Sequence, residues 1–133
     1  MTSHRDYNHI SCGLFDEALA AVALRHKDKL LQRNQGIVRH NLAILDAWVQ
    51  SQPHVHYTKP RAGTTALVYY DYDIPSRELC IDMFHSTGAF VTPGDCFEQG
   101  RSMRIGYACE EEVLRAGLAA IDEYFTLLDG EGK

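Results

Sequence analysis

The apolar residues of this chain change period partway along it, and that change constrains the fold more than any other feature. From about Asp28 to Gln50, Leu30, Leu31, Ile37, Val38, Leu42, Leu45, Trp48 and Val49 recur three, four and seven residues apart. That spacing lays one apolar stripe along an α-helix of 3.6 residues per turn, with Arg33, Arg39 and Asp46 mostly off it. A long amphipathic helix is therefore expected, ended by Pro53. Beyond it β-branched and aromatic residues take over. Val55-His56-Tyr57-Thr58 and Thr64-Thr65-Ala66-Leu67-Val68-Tyr69-Tyr70 read as strands, and Lys59-Pro60-Arg61-Ala62-Gly63 supplies the turn between them.

The remaining elements follow from the same signals. Before the long helix, the alanine-rich stretch from about Asp16 to Leu24 predicts a shorter helix, with Asp16 or Ser11 near its start. After Pro75, Ser76 to Ser86 reads as a short helix capped by Ser76 and stopped by Gly88. Ala89-Phe90-Val91-Thr92 and Met103 to Ala108 read as two more strands, joined by the glycine-containing loop Pro93 to Gly100. A last helix is expected from Glu110 to Leu128, with three glutamates at the positive end of its dipole. Its apolar face carries Val113, Leu114, Leu118, Ile121, Tyr124, Phe125 and Leu128. The order helix, helix, β-β, helix, β-β, helix lacks a βαβα alternation. It favours an α+β fold: a small, mostly antiparallel sheet covered by helices on one face, with a long linking helix. The one visible boundary falls around Arg25 to Asp28.

Composition excludes several classes. At 133 residues the chain has the size of one domain, and 45% hydrophobic with 23% charged residues is ordinary for a globular protein. Thirteen basic against 18 acidic residues give a net charge of −5, which argues against nucleic-acid binding. No apolar run approaches the roughly 18–20 residues a membrane helix needs, and no signal core follows the first residues. Cys12, Cys80, Cys96 and Cys109 form no CxxC pair, which suits a reducing cytoplasm better than a bridged secreted scaffold.

Arg104 is the position richest in chemistry. It stands in the strand pattern Met103-Arg104-Ile105-Gly106-Tyr107, shortly after a Pro-Gly loop, where a rigid element can present its planar fork of donors to a carboxylate. A solvated arginine, or a structural ion pair with Glu110 or Asp95, explains the same spacing. The loop Pro93-Gly94-Asp95-Cys96-Phe97 is either a close-approach segment or a simple connection. His54 and His56 share a face on a strand, but no third ligand at zinc spacing is evident. His85 beside Ser86 and Cys96 beside Asp95 are couples common by chance. Asp71-Tyr72-Asp73 reads as a solvated strand end before it reads as a cation site. No Walker loop, GxGxxG or GxSxG occurs, and neither metal ligands nor a catalytic residue are assigned.

Two of these stretches, taken in order, carry a family resemblance. Ser86-Thr87-Gly88-Ala89-Phe90-Val91-Thr92-Pro93-Gly94-Asp95-Cys96-Phe97, followed by Met103-Arg104-Ile105-Gly106-Tyr107-Ala108, resembles the C-terminal part of the class I/II (fold-type-I) pyridoxal-phosphate-dependent aminotransferases. There a TG-x-x-V-x-PG-x-x-F stretch precedes R-[IL]-[GS]-[FY]-A. Ala62 to Val68 is similar to that family's small-domain strand, and Arg33 to Asn41 to its helix linking large and small domains. The resemblance implies that residues 1–27 are the last helical segment of a large domain and 28–133 the C-terminal small domain. It implies further that Arg104 binds the substrate α-carboxylate, with Phe97 near the entrance. Tyr7-Asn8-His9-Ile10-Ser11 is similar to the stretch that approaches the neighbouring subunit's site. Tyr7 and His9 stand where members preferring acidic substrates can carry arginine, so a dicarboxylate preference gains no support.

The cofactor implied is pyridoxal phosphate, which needs a lysine for its Schiff base. Lys27, Lys29, Lys59 and Lys133 are the lysines present, and none has the serine-rich context of the family's lysine. The expectation is an enzyme fragment, inactive alone, whose parent is a cytoplasmic homodimer acting on an amino acid and 2-oxo acid pair. The missing large domain would supply the cofactor site, and neither nucleic acid nor membrane would be a partner. The alternative is a free-standing small-molecule-binding or regulatory α+β module.

Overall fold

A computed structural model describes residues 13–131, and the chain divides into two compact units between Gly36 and Ile37. The stretch Tyr7 to Ser11, Cys12 and Lys133 lie outside the described residues. The first unit contains α1 (Leu14–Arg25) and the start of α2 (Lys27–Ser51). Gly13, with extended backbone at φ −62° and ψ 137°, holds the cap position of α1. Asp16 therefore sits inside the first turn, beside Glu17, where a carboxylate favours the helix dipole. No described residue of this unit is buried, so Leu30 and Leu31, counted in the stripe from their spacing, are exposed.

The second unit holds the core. It runs from the remainder of α2 through β1 (Val55–Tyr57), β2 (Thr65–Tyr70), α3 (Ser76–Thr87), β3 (Thr92–Pro93), a 3-10 turn (Gly94–Phe97), β4 (Ser102–Gly106) and α4 (Glu111–Glu131). The four strands form one antiparallel sheet in the order β1-β2-β4-β3. This is the expected α+β architecture. Side chains alternate across a strand, so Ala66, Val68 and Tyr70 of β2 and Met103 and Ile105 of β4 point one way. They form a single apolar core with Leu45, Trp48 and Val49 of α2, Leu79, Cys80 and Met83 of α3, and Leu114, Leu118, Ile121, Tyr124 and Phe125 of α4. The residues that alternate with them, His56, Leu67, Tyr69 and Arg104, are half-buried or exposed. Helices thus cover one face, and the other stays open.

Polar ties lock this packing. Asn41 is buried on the stripe of α2 and donates to the Tyr107 carbonyl at 2.9 Å and the Cys109 carbonyl at 2.8 Å. The Trp48 indole N–H and the Gln52 amide both donate to Asp122 of α4, at 2.7 and 2.8 Å. The Tyr107 hydroxyl donates to the Gly63 carbonyl at 3.0 Å, closing the turn before β2 onto the end of β4.

Two local expectations are corrected. Ser76 does not cap α3: Pro75 occupies the cap position, and Ser76 is the first helical residue, its hydroxyl turned to Asp95. Ala89 to Thr92 does not form a strand, because only Thr92 and Pro93 pair with β4. Gly88, in the left-handed conformation at φ 76°, turns the chain out of α3 so that Ala89 is buried while Phe90 is 82% exposed. Among the described residues, no helix is long and apolar enough to cross a membrane.

Candidate functional site

The open face of the sheet is where Arg104 lies. Its strand, β4, is hydrogen-bonded on both edges, and in that register Arg104 stands between Leu67 of β2 and Thr92 of β3. A central strand flanked by paired neighbours is the most rigid support this fold offers. The guanidinium is held on two sides: Nη2 donates to the Thr92 hydroxyl at 3.3 Å, and the central carbon sits 4.7 Å from the centroid of the Phe97 ring. A cation over an aromatic face is attracted by the ring quadrupole, and the ring strips water from one side of the plane.

The structural ion pair allowed by spacing is not formed. Asp95 is engaged by Ser76, and among the described residues no carboxylate pairs with Arg104. Five N–H donors with one protein acceptor among the described residues leave a fork available to an external carboxylate.

The loop that carries Phe97 is built on a close approach. Gly94 is buried, and a Cβ at that position would collide with the Ser102 hydroxyl and the Gln99 carbonyl. Only glycine fits there. The Gln99 N–H donates back to the Gly94 carbonyl at 3.0 Å, and the Ser102 hydroxyl donates to the Gln99 carbonyl at 2.9 Å. Glu98 and Arg101 both take positive φ, 57° and 49°, to complete the loop. The segment read as either close approach or simple connection is the former.

The other chemistry-bearing residues do not converge. His54 faces Asp129 of α4 with its Nε2 3.8 Å away, whereas His56 stacks on Tyr69, so the two histidines serve different neighbours. Asp71 lies near His56, Tyr72 donates to Asp129 at 3.0 Å, and Asp73 pairs with Arg101 at 3.5 Å, which disperses that trio. Among the described residues, no three His, Cys, Asp or Glu side chains gather as a metal site requires. Burial pushes the Cys80 thiol up to about 11, so it packs as an apolar group. His85 packs against Phe84, and Cys96 is exposed.

Two hollows lie away from Arg104, and neither includes it. One, of about 530 Å³, runs between α2 and α4 past Ala43, Ala47 and Ala119. Its polar lining is already engaged: Trp48 donates to Asp122, and Arg115 and His40 both meet Glu111 at 2.7 Å just outside the groove, where these two partners, Arg115 foremost, lower the Glu111 carboxyl below its usual range. The other, about 470 Å³, is lined by Gly88 to Val91 and one side of α4 and is predominantly apolar. Open grooves whose polar groups are already paired, or absent, present nothing for a charged substrate to bind. The free donors of Arg104 do.

The lysines are also placed. Lys27 and Lys29 are exposed at the start of α2, and Lys59 is bound to Asp46 at 2.6 Å in the turn after β1. Lys59 and then the Tyr57 hydroxyl hold the Asp46 carboxyl below its usual range. No described lysine stands on the open face beside Arg104.

Comparison with known proteins gives a consistent answer. No family model matches the chain. Capreomycidine synthase of Streptomyces vinaceus is 35% identical over 120 residues, covering 90% of this chain and 31% of that protein. A pyridoxal-phosphate-dependent aminotransferase from Streptococcus suis superposes with a TM-score of 0.90 at 36% identity, over 94% of this chain and 33% of that one. A pyridoxal-phosphate-dependent cyclase does so with a TM-score of 0.82 at 26% identity, over 92% and 34%. The aromatic aminotransferase of Pyrococcus horikoshii shares the fold, with a TM-score of 0.85 at 17% identity. The chain spans about a third of the length of each of these proteins. By sequence and by fold, the chain is similar to one part of these pyridoxal-phosphate-dependent enzymes, aminotransferases among them.

Proposed function

We propose that residues 28–133 are the C-terminal small domain, and residues 1–27 the last helical segment of the large domain, of a pyridoxal-phosphate-dependent enzyme acting on an amino acid and 2-oxo acid pair. In this reading Arg104 binds the substrate α-carboxylate. The observation that carries it is a guanidinium fixed on a central strand, stacked on Phe97, with most of its donors unused within the described residues. A bidentate carboxylate contact would place the rest of the amino acid at a defined angle to the sheet, which is what orienting a reacting α-carbon requires.

Pyridoxal phosphate supplies the electron sink for chemistry at that carbon. The described lysines do not fit it: Lys59 is tied to Asp46, and Lys27 and Lys29 are solvated. The cofactor lysine and the phosphate site are therefore assigned to the remainder of the parent, and the chain alone is inactive. The parent is read as a homodimer in the cytoplasm. Three free thiols among the described residues, one of them exposed, agree with a reducing compartment.

Two tests apply. Incubating the chain with pyridoxal phosphate and then borohydride is expected to leave no specific adduct by mass, and a stoichiometric adduct on one lysine overturns the fragment reading. In the full-length enzyme, Arg104→Lys is expected to lower kcat/KM by about tenfold or more, because an ammonium cannot reproduce a two-pronged contact. An unchanged kcat/KM removes Arg104 from the site. A second reading is favoured by the match to a cyclase: ring closure of an amino acid in place of amino transfer. Both readings use the same arginine, and the product formed from a single amino acid with no 2-oxo acid present separates them.

A further inference from the structure

We propose that Ser76 and Asp95 are the positioning pair of this site: they hold the turn that lays Phe97 over Arg104 and so set the aim of its guanidinium. The inference rests on the reading of Arg104 as the carboxylate-binding residue and deepens it.

The pair is joined twice. Ser76, fully buried at the first position of α3, donates its hydroxyl to the Asp95 carboxylate and accepts the Asp95 backbone N–H at 2.9 Å. One hydroxyl thus fixes both the backbone and the side chain of the second residue in the 3-10 turn. Phe97 follows two residues later, with the Glu98 N–H donating to the Asp95 carbonyl at 3.1 Å across the turn. Gly94, wedged against Gln99 and Ser102, blocks movement on the β4 side. The turn is therefore held from two directions: by α3 through Ser76, and by the start of β4 through Gly94.

Phe97 has no other cationic or aromatic partner among the described residues, and it is 37% exposed. The ring is only partly covered, so the turn backbone that carries it helps to set where it lies. The ring in turn covers one face of an arginine whose flexible stem would otherwise sample many directions. Restricting that stem before the substrate arrives removes an ordering cost from binding. A residue acting in this way changes substrate capture and leaves the chemical step alone.

Nuclear magnetic resonance of the isotope-labelled 133-residue chain reads the aim directly, because an aromatic ring over a guanidinium displaces the Arg104 side-chain resonances. Phe97→Leu should abolish the displacement. Asp95→Ala and Ser76→Ala should each move the Arg104 signals toward the Phe97→Leu position. Asp95→Asn, which keeps an acceptor oxygen, should stay at the wild-type position. Trp48, the single tryptophan, sits in the core and reports whether each variant is folded. If buried Ser76→Ala unfolds, the exposed Asp95 still provides the Ala-against-Asn comparison. In the full-length holoenzyme, Asp95→Ala should raise the amino-acid KM about three- to tenfold with kcat within about twofold, the size of effect a weakened cation–π contact gives. Arg104 signals unmoved in folded Asp95→Ala overturn the proposal, as does a KM unchanged when those signals move. The carboxylate reading fails separately, through an Arg104→Lys enzyme of unchanged kcat/KM.

Discussion

Asn41 shows what a single residue does in this fold. It occupies the phase of the α2 stripe between Val38 and Leu45, yet it is polar and only 1% exposed. Its amide bridges the Tyr107 and Cys109 carbonyls, just where β4 has ended and no strand partner remains for them. A buried carbonyl left without a donor costs more than an average hydrogen bond contributes. Asn41→Leu keeps the size and completes the apolar stripe, so a purely hydrophobic account predicts stabilisation. The carbonyls predict the reverse: a loss of about 1–3 kcal/mol, measured by urea unfolding with an unchanged slope. The amide was absent from the sequence-based stripe because hydrophobic periodicity counts apolar residues alone. The signal that reveals it is a gap in phase, filled by an amide where a leucine would have continued the pattern.

At the scale of elements, the sequence makes the regular pieces legible and hides the junctions. Both long helices, β2 and the antiparallel order follow from period and residue type, which average over many positions. The segment after α3 does not, since a few β-branched residues cannot reveal that the chain leaves Gly88 in a left-handed bend. For the site, Arg104 was visible as an arginine in a strand, and Phe97 through the family motif. Ser76 was visible only as a cap, because its true partner, Asp95, is nineteen positions away. Gly88 makes the point measurable. Its φ of 76° closes α3, its N–H donates to the Phe84 carbonyl at 3.0 Å, and nothing lies within 4 Å of where a Cβ would stand. Gly88→Ala therefore isolates the backbone penalty from any clash. A loss of about 1 kcal/mol is expected, seen as a fall of a few degrees in Tm. A neutral result would mean that the left-handed bend is not what ends the helix.

For the whole molecule, the distribution of burial decides what unfolds with what. Every buried residue among those described lies beyond Gly36, and the core spans α2 from Asn41 onward, the sheet, α3 and α4. Upstream, Leu14, Phe15, Leu19 and Leu24 are each more than two-thirds exposed, and no described residue of α1 is buried. Burial of apolar area is what opposes chain entropy, so residues 13–36 contribute little to the free energy that holds the core. Removing residues 1–36 is accordingly expected to leave the unfolding free energy, read from the urea transition of Trp48 fluorescence, unchanged within about 0.5 kcal/mol. The same removal should improve solubility, because a contiguous set of exposed leucines and a phenylalanine leaves with it. A large drop in midpoint would show that the upstream segment supports the core. The open face that carries Arg104 should survive the truncation, since Thr92, Phe97 and Arg104 all lie downstream. The Arg104 resonances of the shortened chain, compared with those of the full chain, test that directly.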